Sequence, residues 1–356
     1  MGITESLIQW YERNKRDLPW RNTHDPYKIW LSEIILQQTR VDQGLNYYTR
    51  FVERYAKVND LAAVNEEEVL KLWQGLGYYS RARNLHHTAK IVATKFNCVF
   101  PDTYNELLQL KGVGPYTAAA ISSICFGEPR PVVDGNVLRV ISRLFAITDP
   151  VNETAGKTRI EEVLTTLIDK SNPGTFNQAV MEFGALFCKP KNPSCKSCPL
   201  QANCQAWSIG LVSKLPHKSN QVKQKKRYFN YFLINFYRED QRLIYFHKRK
   251  AKDIWQGLYD FPLIESAKLF SAKDVLQTES WKNLFMETLP VISSSSRSYI
   301  HQLTHRQINA RFFVIDVERE IILEDNDFIL VDENDIQKLP LPRLIDKYLK
   351  DVGILR

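Results

Sequence analysis

The chain has 356 residues, 44% of them hydrophobic, and its 48 basic against 40 acidic residues leave a net charge of +8. This length exceeds one ordinary core, so we expect two domains. No apolar run is long enough to span a membrane, and the N-terminus lacks the apolar core of a secretion signal. We therefore expect a cytoplasmic protein, and the positive charge is a weak indication of a polyanionic partner.

Residues 1–212 show the periodicity of helices. Apolar residues recur three or four positions apart in LIQWYERN, KIWLSEIILQQ, EEVLKLWQGL, RNLHHTAKIVATKF and RIEEVLTTLIDK. Thr103 and Glu106 form a capping-box pattern before the next apolar pair. No strand pattern precedes residue 225, so this part of the chain is predicted to be an all-α domain.

The character of the sequence changes after residue 212. Residues 213–227 are polar and basic and contain a proline, as is typical of a linker. Alternating or β-branched runs follow in YFNYFLINF, RLIYFHKR, ARFFVIDV and DFILVDE, and PRLIDKYLK has a helical pattern. Residues 228–356 are therefore predicted to form a second, α+β domain.

Glu33 lies in the apolar helical stretch YKIWLSEIILQQT. Ile29, Trp30 and Leu36 are three or four positions away and neighbour it on the helix. A carboxyl poorly solvated by such neighbours has a raised pKa and can act as a general acid near neutral pH. The alternative is that Glu33 faces water, as most helical glutamates do.

The stretch LKGVGPYTAAAI contains a tight glycine turn between helices. We expect one helix to stop at Gly112–Gly114 and the next to start at Pro115, a residue well suited to the first helical position. Backbone N–H groups at such a start bind anions, and in DNA the anion is a phosphate. An ordinary antiparallel helix hairpin would have the same pattern.

Asp134, in PVVDGNVLRVISR, follows an apolar pair and precedes a predicted helix. Capping that helix would by itself explain the aspartate. Hydrolysis of a glycosidic bond, however, typically needs two carboxyl groups, one to protonate the leaving group and one to stabilise the positive anomeric carbon. Glu33 and Asp134 are candidates for that pair if the fold brings them together.

Four of the six cysteines, Cys188, Cys195, Cys198 and Cys204, form the compact pattern C-x6-C-x2-C-x5-C. In a reducing cytoplasm such a group indicates a metal site rather than disulfides. Zinc remains an alternative, although zinc ribbons usually have two separate CxxC pairs. A single iron–sulfur cluster with four thiolate ligands is favoured by one short loop, residues 188–204.

Together these motifs identify a family. With LPWR, SEIILQQT, LWQGLGYYSRARNL, GVGPYTAAAI, PVVDGNVLRV and the cysteine loop, the chain resembles the helix-hairpin-helix DNA glycosylases that carry a 4Fe–4S cluster, and among them the MutY-type adenine DNA glycosylases. The resemblance covers nearly the whole chain. It implies a monomeric base-excision repair enzyme that removes adenine mispaired with 8-oxoguanine or guanine from duplex DNA.

The resemblance also implies roles for individual residues. Glu33 matches the acid that protonates adenine, and Asp134 matches the carboxylate that stabilises the oxocarbenium-like state. Tyr116 and Asn136 match residues that assist at the reacting centre. The positions of the cluster ligands are occupied by Cys188, Cys195, Cys198 and Cys204. The positions that contact DNA or the base are occupied by Arg21, Gln38, Tyr78, Gly112, Gly114 and Gln178.

Two rival functions remain open at this stage. Endonuclease III-like lyases resemble this chain in the glycine turn between helices and in the cysteine loop. They carry a nucleophilic lysine eighteen residues before the aspartate that matches Asp134, where this chain has Tyr116. Without an amine at that position no Schiff base forms, so we predict a monofunctional glycosylase. A non-enzymatic DNA-binding module is the second rival, and the presence of both carboxylates disfavours it.

The second domain resembles the Nudix-like domain that reads 8-oxoguanine in this family. IWQGLYDFPL is similar to its GLWEFP stretch, and the acidic helix of active Nudix hydrolases has no counterpart in the sequence. The recognition loop corresponds to IHQLTHRQI, which places Thr304 and His305 at the lesion. The family commonly has Phe-Ser-His where this chain has Leu303-Thr304-His305, so the aromatic wedge is lost.

Overall fold

A computed structural model describes residues 2–219, 224–250, 252–286, 288, 290–324 and 327–356. The chain divides into two compact units: the first contains Met1–Val64 and Asn84–Asn220, the second Asn65–Arg83 and Gln221–Arg356. Residues 220–223 of the predicted linker lie outside the described residues. Within the described ranges, no helix has both the length and the apolar character needed to cross a membrane.

The first unit is built from helices, as the sequence predicts. They are α1 (Ile3–Asn14), α2 (Pro26–Leu36), α3 (Val41–Arg54), α4 (Val58–Ala63), α6 (Ser80–Lys95, from Asn84 onwards in this unit), α7 (Tyr104–Leu107), α8 (Pro115–Phe126), α9 (Gly135–Leu144), α10 (Thr154–Leu167), α11 (Pro173–Leu186) and α12 (Gln205–Ser208). Between α4 and α6 the chain forms α5 (Glu66–Leu72), which belongs to the second unit.

Helix α2 is a central, almost completely buried element of the first unit. It starts at Pro26 because Asp25 caps it, accepting a 2.9 Å hydrogen bond from the Tyr27 amide. Its residues are apolar nearly all round, which is the pattern of a helix packed on several sides. Glu33 is thereby carried into the interior of the protein.

The glycine turn differs in one respect from the prediction. The helix before it, α7, ends at Leu107 rather than at the glycines, and i→i−3 hydrogen bonds from Leu110 to Leu107 and from Val113 to Leu110 lead through the turn. Such tight turns satisfy the last carbonyls of a short helix. Gly112 has φ +82°, a conformation that disfavours side chains, and helix α8 starts at Pro115 as predicted.

The second unit is an α+β fold around one mixed sheet. Its strands are β1 (Lys225–Arg238), β2 (Gln241–Lys248), β3 (Tyr259–Asp260), β4 (Leu263–Ser266), β5 (Ile292–Ser295), β6 (Tyr299–Gln302), β7 (Arg306–Val317) and β8 (Phe328–Asp332). Its helices after β4 are α13 (Ala272–Leu276), α14 (Glu279–Phe285) and α15 (Arg343–Asp351). The four strand-like runs and the last helix of the prediction are confirmed.

The sheet order is β3-β2-β1-β7-β5, with β4 paired to β1, β6 to β7 and β8 to β2. The long central strands β1 and β7 run parallel and all other pairs are antiparallel. Strand β1 is buried continuously from Phe229 to Phe236, because both of its faces are covered. The four short strands β3 to β6 escaped prediction since two to four residues are too few to show a period.

Segment Asn65–Arg83 packs within the second unit although it lies far from it in sequence. Glu67 accepts hydrogen bonds from Lys248 and from the Tyr259 hydroxyl, and Arg83 donates to the carbonyl of Gln256 at 2.6 Å. Gly257 has φ +83°, and a Cβ there would meet Leu70 at 3.0 Å. The second unit is therefore assembled from two separate stretches of the chain.

Candidate active site

A pocket of about 500 Å³ opens in the first unit where several of its helices meet. It contains six of the residues that the sequence marked as candidates: Arg21, Glu33, Tyr116, Asp134, Asn136 and Gln178. They come from α2, α8, α9, α11 and the short turn before α2. The fold thus brings together residues that are spread over more than 150 positions of the sequence.

Glu33 lines this pocket and is only 8% exposed. Burial raises its pKa from 4.5 to about 7, and the negative charge of Asp134 adds to the rise. The Tyr116 hydroxyl and the Arg21 guanidinium act in the opposite direction. The carboxyl is therefore able to hold a proton at neutral pH, and the alternative that Glu33 faces water does not apply, because the side chain is buried.

Asp134 both caps helix α9 and faces the pocket. One carboxylate oxygen accepts from the amides of Asn136 and Val137 at 2.8 and 2.7 Å, and the other accepts from the Asn136 side chain at 2.8 Å. Burial raises the pKa of Asp134, while these hydrogen bonds counteract the rise by favouring its ionised form. Capping and a role at the pocket are compatible, because the bonds that cap the helix also fix the carboxylate in place.

Tyr116 is the second residue of helix α8 and faces Glu33. Burial and the nearby carboxyls of Glu33 and Asp134 hold the pKa of its phenol well above the usual value, so it stays protonated. Its hydroxyl also lies 3.6 Å from the sulfur of Met181. Tyr116 is therefore a neutral hydrogen-bond donor to the Glu33 carboxyl.

Glu182 is a pocket residue that the sequence analysis missed. Its side chain is 1% exposed and receives five hydrogen bonds of 2.6 to 3.0 Å, three from Arg16 and two from Arg21. Burial opposes its ionisation, yet these bonds lower its pKa to about 2. A lone acid in the apolar run AVMEFGALF was the available indication, since a buried carboxylate needs a cationic partner.

Tyr11 is a further residue that the sequence analysis missed, and it contacts Gln178. The Tyr11 hydroxyl donates to the side-chain oxygen of Gln178 at 2.6 Å. The guanidinium of Arg21 lies over the Tyr11 ring, 5.6 Å from its centre. With its oxygen engaged, the Gln178 amide has N–H groups to offer to a bound molecule.

The four clustered cysteines line one cavity, together with apolar side chains from α9 and α11 such as Val140, Leu144 and Phe183. Arg143 is buried and lines the same cavity, where it donates to the Cys188 sulfur at 3.4 Å and to the carbonyls of Lys189, Pro190 and Leu215. Among the described residues, no three His, Cys, Asp or Glu side chains are grouped tightly enough to share one metal ion.

Arg139 joins this loop to the pocket. It donates to the Cys188 carbonyl at 2.8 Å and to the side-chain oxygen of Asn136 at 2.9 Å. Asn136 in turn holds Asp134. Gly184 permits the close approach of α11 at this point, because a Cβ there would meet the Cβ of Asn136 at 2.7 Å. The position of Asp134 therefore depends on packing that includes the cysteine loop.

The other candidate contacts in the first unit lie outside the pocket. Gln38 is exposed just after α2 and has φ +57°, an unusual conformation for a residue with a side chain. Gly112 and Gly114 lie in the turn before α8, where Gly114 is the N-terminal cap. A Cβ at Gly112 would meet the side chain of Asn84 at 2.7 Å, so the turn fits closely against α6.

The second unit brings Tyr78 and Thr304 together. Thr304 and His305 are exposed in the short loop between β6 and β7, and the Thr304 hydroxyl hydrogen-bonds the Tyr78 hydroxyl. Tyr78 is 45% exposed with φ +49°, and Arg81 lies 5.5 Å from its ring centre. Two candidates that are 226 positions apart in the sequence thus form one exposed, hydrogen-bonded pair.

Known proteins share both halves of this architecture. Residues 31–166 match the HhH-GPD superfamily of base excision DNA repair proteins, and residues 232–351 match the NUDIX domain. An endonuclease III solved in complex with DNA is 25% identical, with a TM-score of 0.51, and the match covers 58% of this chain and 94% of that one. A thermostable thymine-DNA glycosylase is 29% identical, with a TM-score of 0.54, and the match covers 58% of this chain and 95% of that one.

Curated relatives extend the likeness to the whole chain. An adenine DNA glycosylase of Buchnera aphidicola is 32% identical over 98% of this chain and 96% of its own length. The human adenine DNA glycosylase is 44% identical over 56% of this chain and 38% of its own length. Since the first of these matches spans both units, the chain belongs to the adenine DNA glycosylases, enzymes of the helix-hairpin-helix superfamily of base-excision repair.

Proposed function

We propose that this enzyme hydrolyses the N-glycosidic bond of adenine mispaired with 8-oxoguanine or guanine in duplex DNA, and that it leaves the DNA strand uncut. The observation that carries the proposal is the pairing in one pocket of Glu33, whose pKa is raised to about 7, with Asp134, which is held by three hydrogen bonds. Two carboxyls in different protonation states are what glycosidic hydrolysis requires.

In this mechanism Glu33 gives its proton to the departing adenine. Loss of the base leaves positive charge on the sugar, and the Asp134 carboxylate stabilises that charge or briefly bonds to the anomeric carbon. A water molecule then adds to that carbon and gives its proton to the Glu33 carboxylate, which leaves an abasic sugar and restores the acid. The carboxylate needs no reorganisation at that moment, because Asn136 and Val137 already fix it. The N–H groups of Gln178 and the Arg21 guanidinium offer donors to acceptor atoms of the extruded base.

The direct test is a single-turnover assay on a duplex with one adenine opposite 8-oxoguanine. We expect adenine release with strand cleavage only after alkali is added. Release of a different base from matched duplexes, with adenine untouched, would contradict the proposal. An unreactive duplex that is nevertheless bound tightly would favour the non-enzymatic alternative.

The absence of strand cutting rests on Tyr116. Lyase chemistry needs an amine to form an imine with the sugar, and Tyr116 occupies that position in this chain. Its raised pKa also keeps the phenol from acting as an anionic nucleophile. We expect borohydride to trap a DNA adduct of the Tyr116→Lys variant and none of the wild type. Efficient trapping of the wild type would refute this assignment.

We propose a 4Fe–4S cluster as the group held by the cysteine loop. The four thiols surround a cavity, and a cluster in which each iron takes one thiolate suits such an arrangement. The donor from Arg143 to the Cys188 sulfur is the kind of contact that stabilises ligated thiolate. When bound, the cluster cross-links the loop. Analysis should find equal iron and inorganic sulfide and no zinc, and one zinc with no iron would overturn the proposal.

For the second unit we propose recognition of 8-oxoguanine through the loop that contains Thr304 and His305. The lesion differs from guanine by a carbonyl oxygen and by an N–H in place of a bare acceptor. The Thr304 hydroxyl can donate and accept, so it can pair with either group. Its contact with Tyr78 supports the proposal, because the resemblance assigns Tyr78 to insertion into the duplex at the same lesion.

A further inference from the structure

The loop that presents Thr304 and His305 is a very short connection between two antiparallel strands. The register of β6 with β7 continues to the end of β6, and the next pair is closed by the Leu303 amide, which donates to the Arg306 carbonyl at 2.8 Å. Only Thr304 and His305 therefore lie between the two paired segments. The backbone of this two-residue loop decides where both candidate side chains point.

This loop does not have the conformation that closes a two-residue hairpin by itself. Such hairpins favour turns whose first central residue has a positive φ, because those turns follow the twist of the strands. Among the described residues with a positive φ, neither Thr304 nor His305 appears. The bonds of the described residues also include none from the Arg306 amide to the Leu303 carbonyl, so the turn is open. The loop therefore depends on bonds from another segment to hold its shape.

Gln224, the residue directly before β1, supplies two of these bonds. Its side-chain nitrogen donates to the carbonyls of Leu303 and Thr304, each at 3.3 Å. Its side-chain oxygen accepts from the Gln302 side chain at 2.6 Å, and this bond directs the N–H groups of Gln224 at the loop. The Leu303 carbonyl, which a closed turn would satisfy from within, is thus satisfied by Gln224.

The amide of Lys225 supplies a third bond, to the His305 carbonyl at 3.1 Å. Two consecutive residues where β1 begins thus hold three consecutive carbonyls of the loop. These bonds use the main chain of the loop and occupy neither the Thr304 hydroxyl nor the His305 imidazole. The Thr304 hydroxyl bonds Tyr78, and that contact must give way if Thr304 is to meet a base. The bonds from Gln224 and Lys225 need not change when it does.

We infer that Gln224 is a positioning residue for the recognition of 8-oxoguanine, because it fixes the loop backbone in the conformation that presents Thr304 and His305. This inference rests on the proposed role of the loop in reading the lesion. A loop that is already held in its binding conformation loses less conformational entropy when it binds. Gln224 itself contacts the loop and not the base, so its effect should depend on which base the loop meets.

The test is the ratio of adenine release rates from an 8-oxoguanine:adenine duplex and a guanine:adenine duplex. Single-turnover rates of the whole enzyme are measured at fixed salt, with enzyme in excess over DNA but below saturation, so that they report binding as well as chemistry. Gln224→Met keeps the length of the side chain and removes its hydrogen bonds. It should lower the ratio about three- to tenfold, the effect of one net hydrogen bond, by slowing the reaction on the 8-oxoguanine duplex alone.

Two further variants separate the bonds to the loop from other effects. Gln224→Glu keeps the shape of the side chain and places a carboxylate oxygen against two carbonyl oxygens, so the ratio should fall at least as far as in Gln224→Met. The added charge acts on the phosphates of both duplexes alike and cancels in the ratio. As a matched control, Gln241→Met makes the same change at an exposed glutamine where β2 begins, and the ratio should stay at the wild-type value.

A double-mutant cycle shows whether Gln224 acts through the loop. In a chain that already carries Thr304→Ala and His305→Ala, adding Gln224→Met should lower the ratio no further. If the effects of the two sets of changes multiply, or if Gln224→Met slows the reaction on both duplexes equally, Gln224 does not position the loop and the inference is wrong. A wild-type ratio in Gln224→Met would also overturn it.

Failure of the proposed recognition function gives a different result. In that case the chain with Thr304→Ala and His305→Ala keeps the wild-type ratio, whatever Gln224→Met does. If this pair of changes lowers the ratio and Gln224→Met does not, the loop reads the lesion without help from Gln224, and the inference alone is refuted.

Discussion

The candidate acids of the first unit and the candidate recognition residues of the second unit differ in how far they are exposed to solvent. In the first unit, Glu33 and Glu182 are almost completely buried, and their ionisation is set by the side chains around them. In the second unit, Thr304, His305 and Tyr78 are exposed on loops. The contrast is one of burial: the candidate acids of the first unit have pKa values set by their surroundings, whereas the candidates of the second unit are polar side chains at the surface.

The two buried glutamates of the first unit show how strongly neighbouring side chains determine ionisation. Burial raises the pKa of Glu33 to about 7, whereas two arginines lower the pKa of Glu182 to about 2 despite similar burial. The same side chain in the same pocket thus becomes a proton donor or a permanent anion according to its partners. Exposed groups such as Thr304 lack this range of behaviour, so substitutions there should have smaller effects than substitutions in the pocket.

The largest effect is expected for Glu33→Gln. The amide has nearly the same shape and cannot donate a proton as an acid does, so adenine release should slow by about 10²–10⁴-fold while duplex binding persists. Single-turnover rates and binding to an uncleaved duplex measure the two separately. Glu161→Gln, an exposed change on α10, is the matched control. A wild-type rate in Glu33→Gln would remove Glu33 from the mechanism.

The next largest effect is expected for Asp134→Asn. Asparagine is as good a helix cap as aspartate, so α9 should persist, while the charge that faces the sugar is lost. We expect the rate of adenine release to drop about 10²–10³-fold with little change in melting temperature. Asp134→Ala should in addition cost about 1 kcal/mol of stability because the cap is lost. Equal rates for wild type and Asp134→Asn would mean that Asp134 only caps its helix.

A smaller, graded effect is expected from pH. Because the pKa of Glu33 is raised to about 7, the protonated fraction and the rate should fall roughly tenfold per pH unit above that value. Below it the rate should reach a plateau and then decline as Asp134 takes up a proton, since the pKa of Asp134 is also raised. Single-turnover rates at constant ionic strength measure the profile. A rate that rises steadily through pH 7 would show that the acid is a different group.

The smallest effect is expected in the second unit. Thr304→Ala with His305→Ala should compress the preference for adenine opposite 8-oxoguanine over adenine opposite guanine by about 1–3 kcal/mol, the scale of a good base contact. Single-turnover rates on the two duplexes at fixed salt give this ratio. Ser294→Ala, an exposed change in β5, is the control. An unchanged ratio would mean that this loop does not read the lesion.

Point substitutions test the second unit better than deletion of residues 228–356. Segment Asn65–Arg83 belongs to the same unit, and Glu67, Lys71 and Arg83 take hydrogen-bond partners from the residues that a deletion would remove. A truncated chain would leave this segment without its packing. If such a truncated chain lost the preference for adenine opposite 8-oxoguanine, the result would therefore not show whether the loop with Thr304 and His305 or Tyr78 is responsible.

Much of the local structure could be predicted from the sequence, because its causes are local. The apolar spacing of PRLIDKYLK and the alternation in ARFFVIDV predicted α15 and β7, and Pro115 marked the start of α8. Asp134 was recognisable as a cap since it is followed directly by the helix that it caps. The cysteine spacing indicated a metal site before any geometry was known.

Only the tertiary structure decided which distant residues meet. Periodicity shows that a side chain is buried and not what it is buried against, so Glu182 gave no indication of Arg16 and Arg21, which lie more than 160 positions away. The same holds for Tyr78 with Thr304 and for the place of Asn65–Arg83 in the second unit. These pairings set the charge and the exposure of the candidate residues, and both depend on contacts that no local pattern encodes.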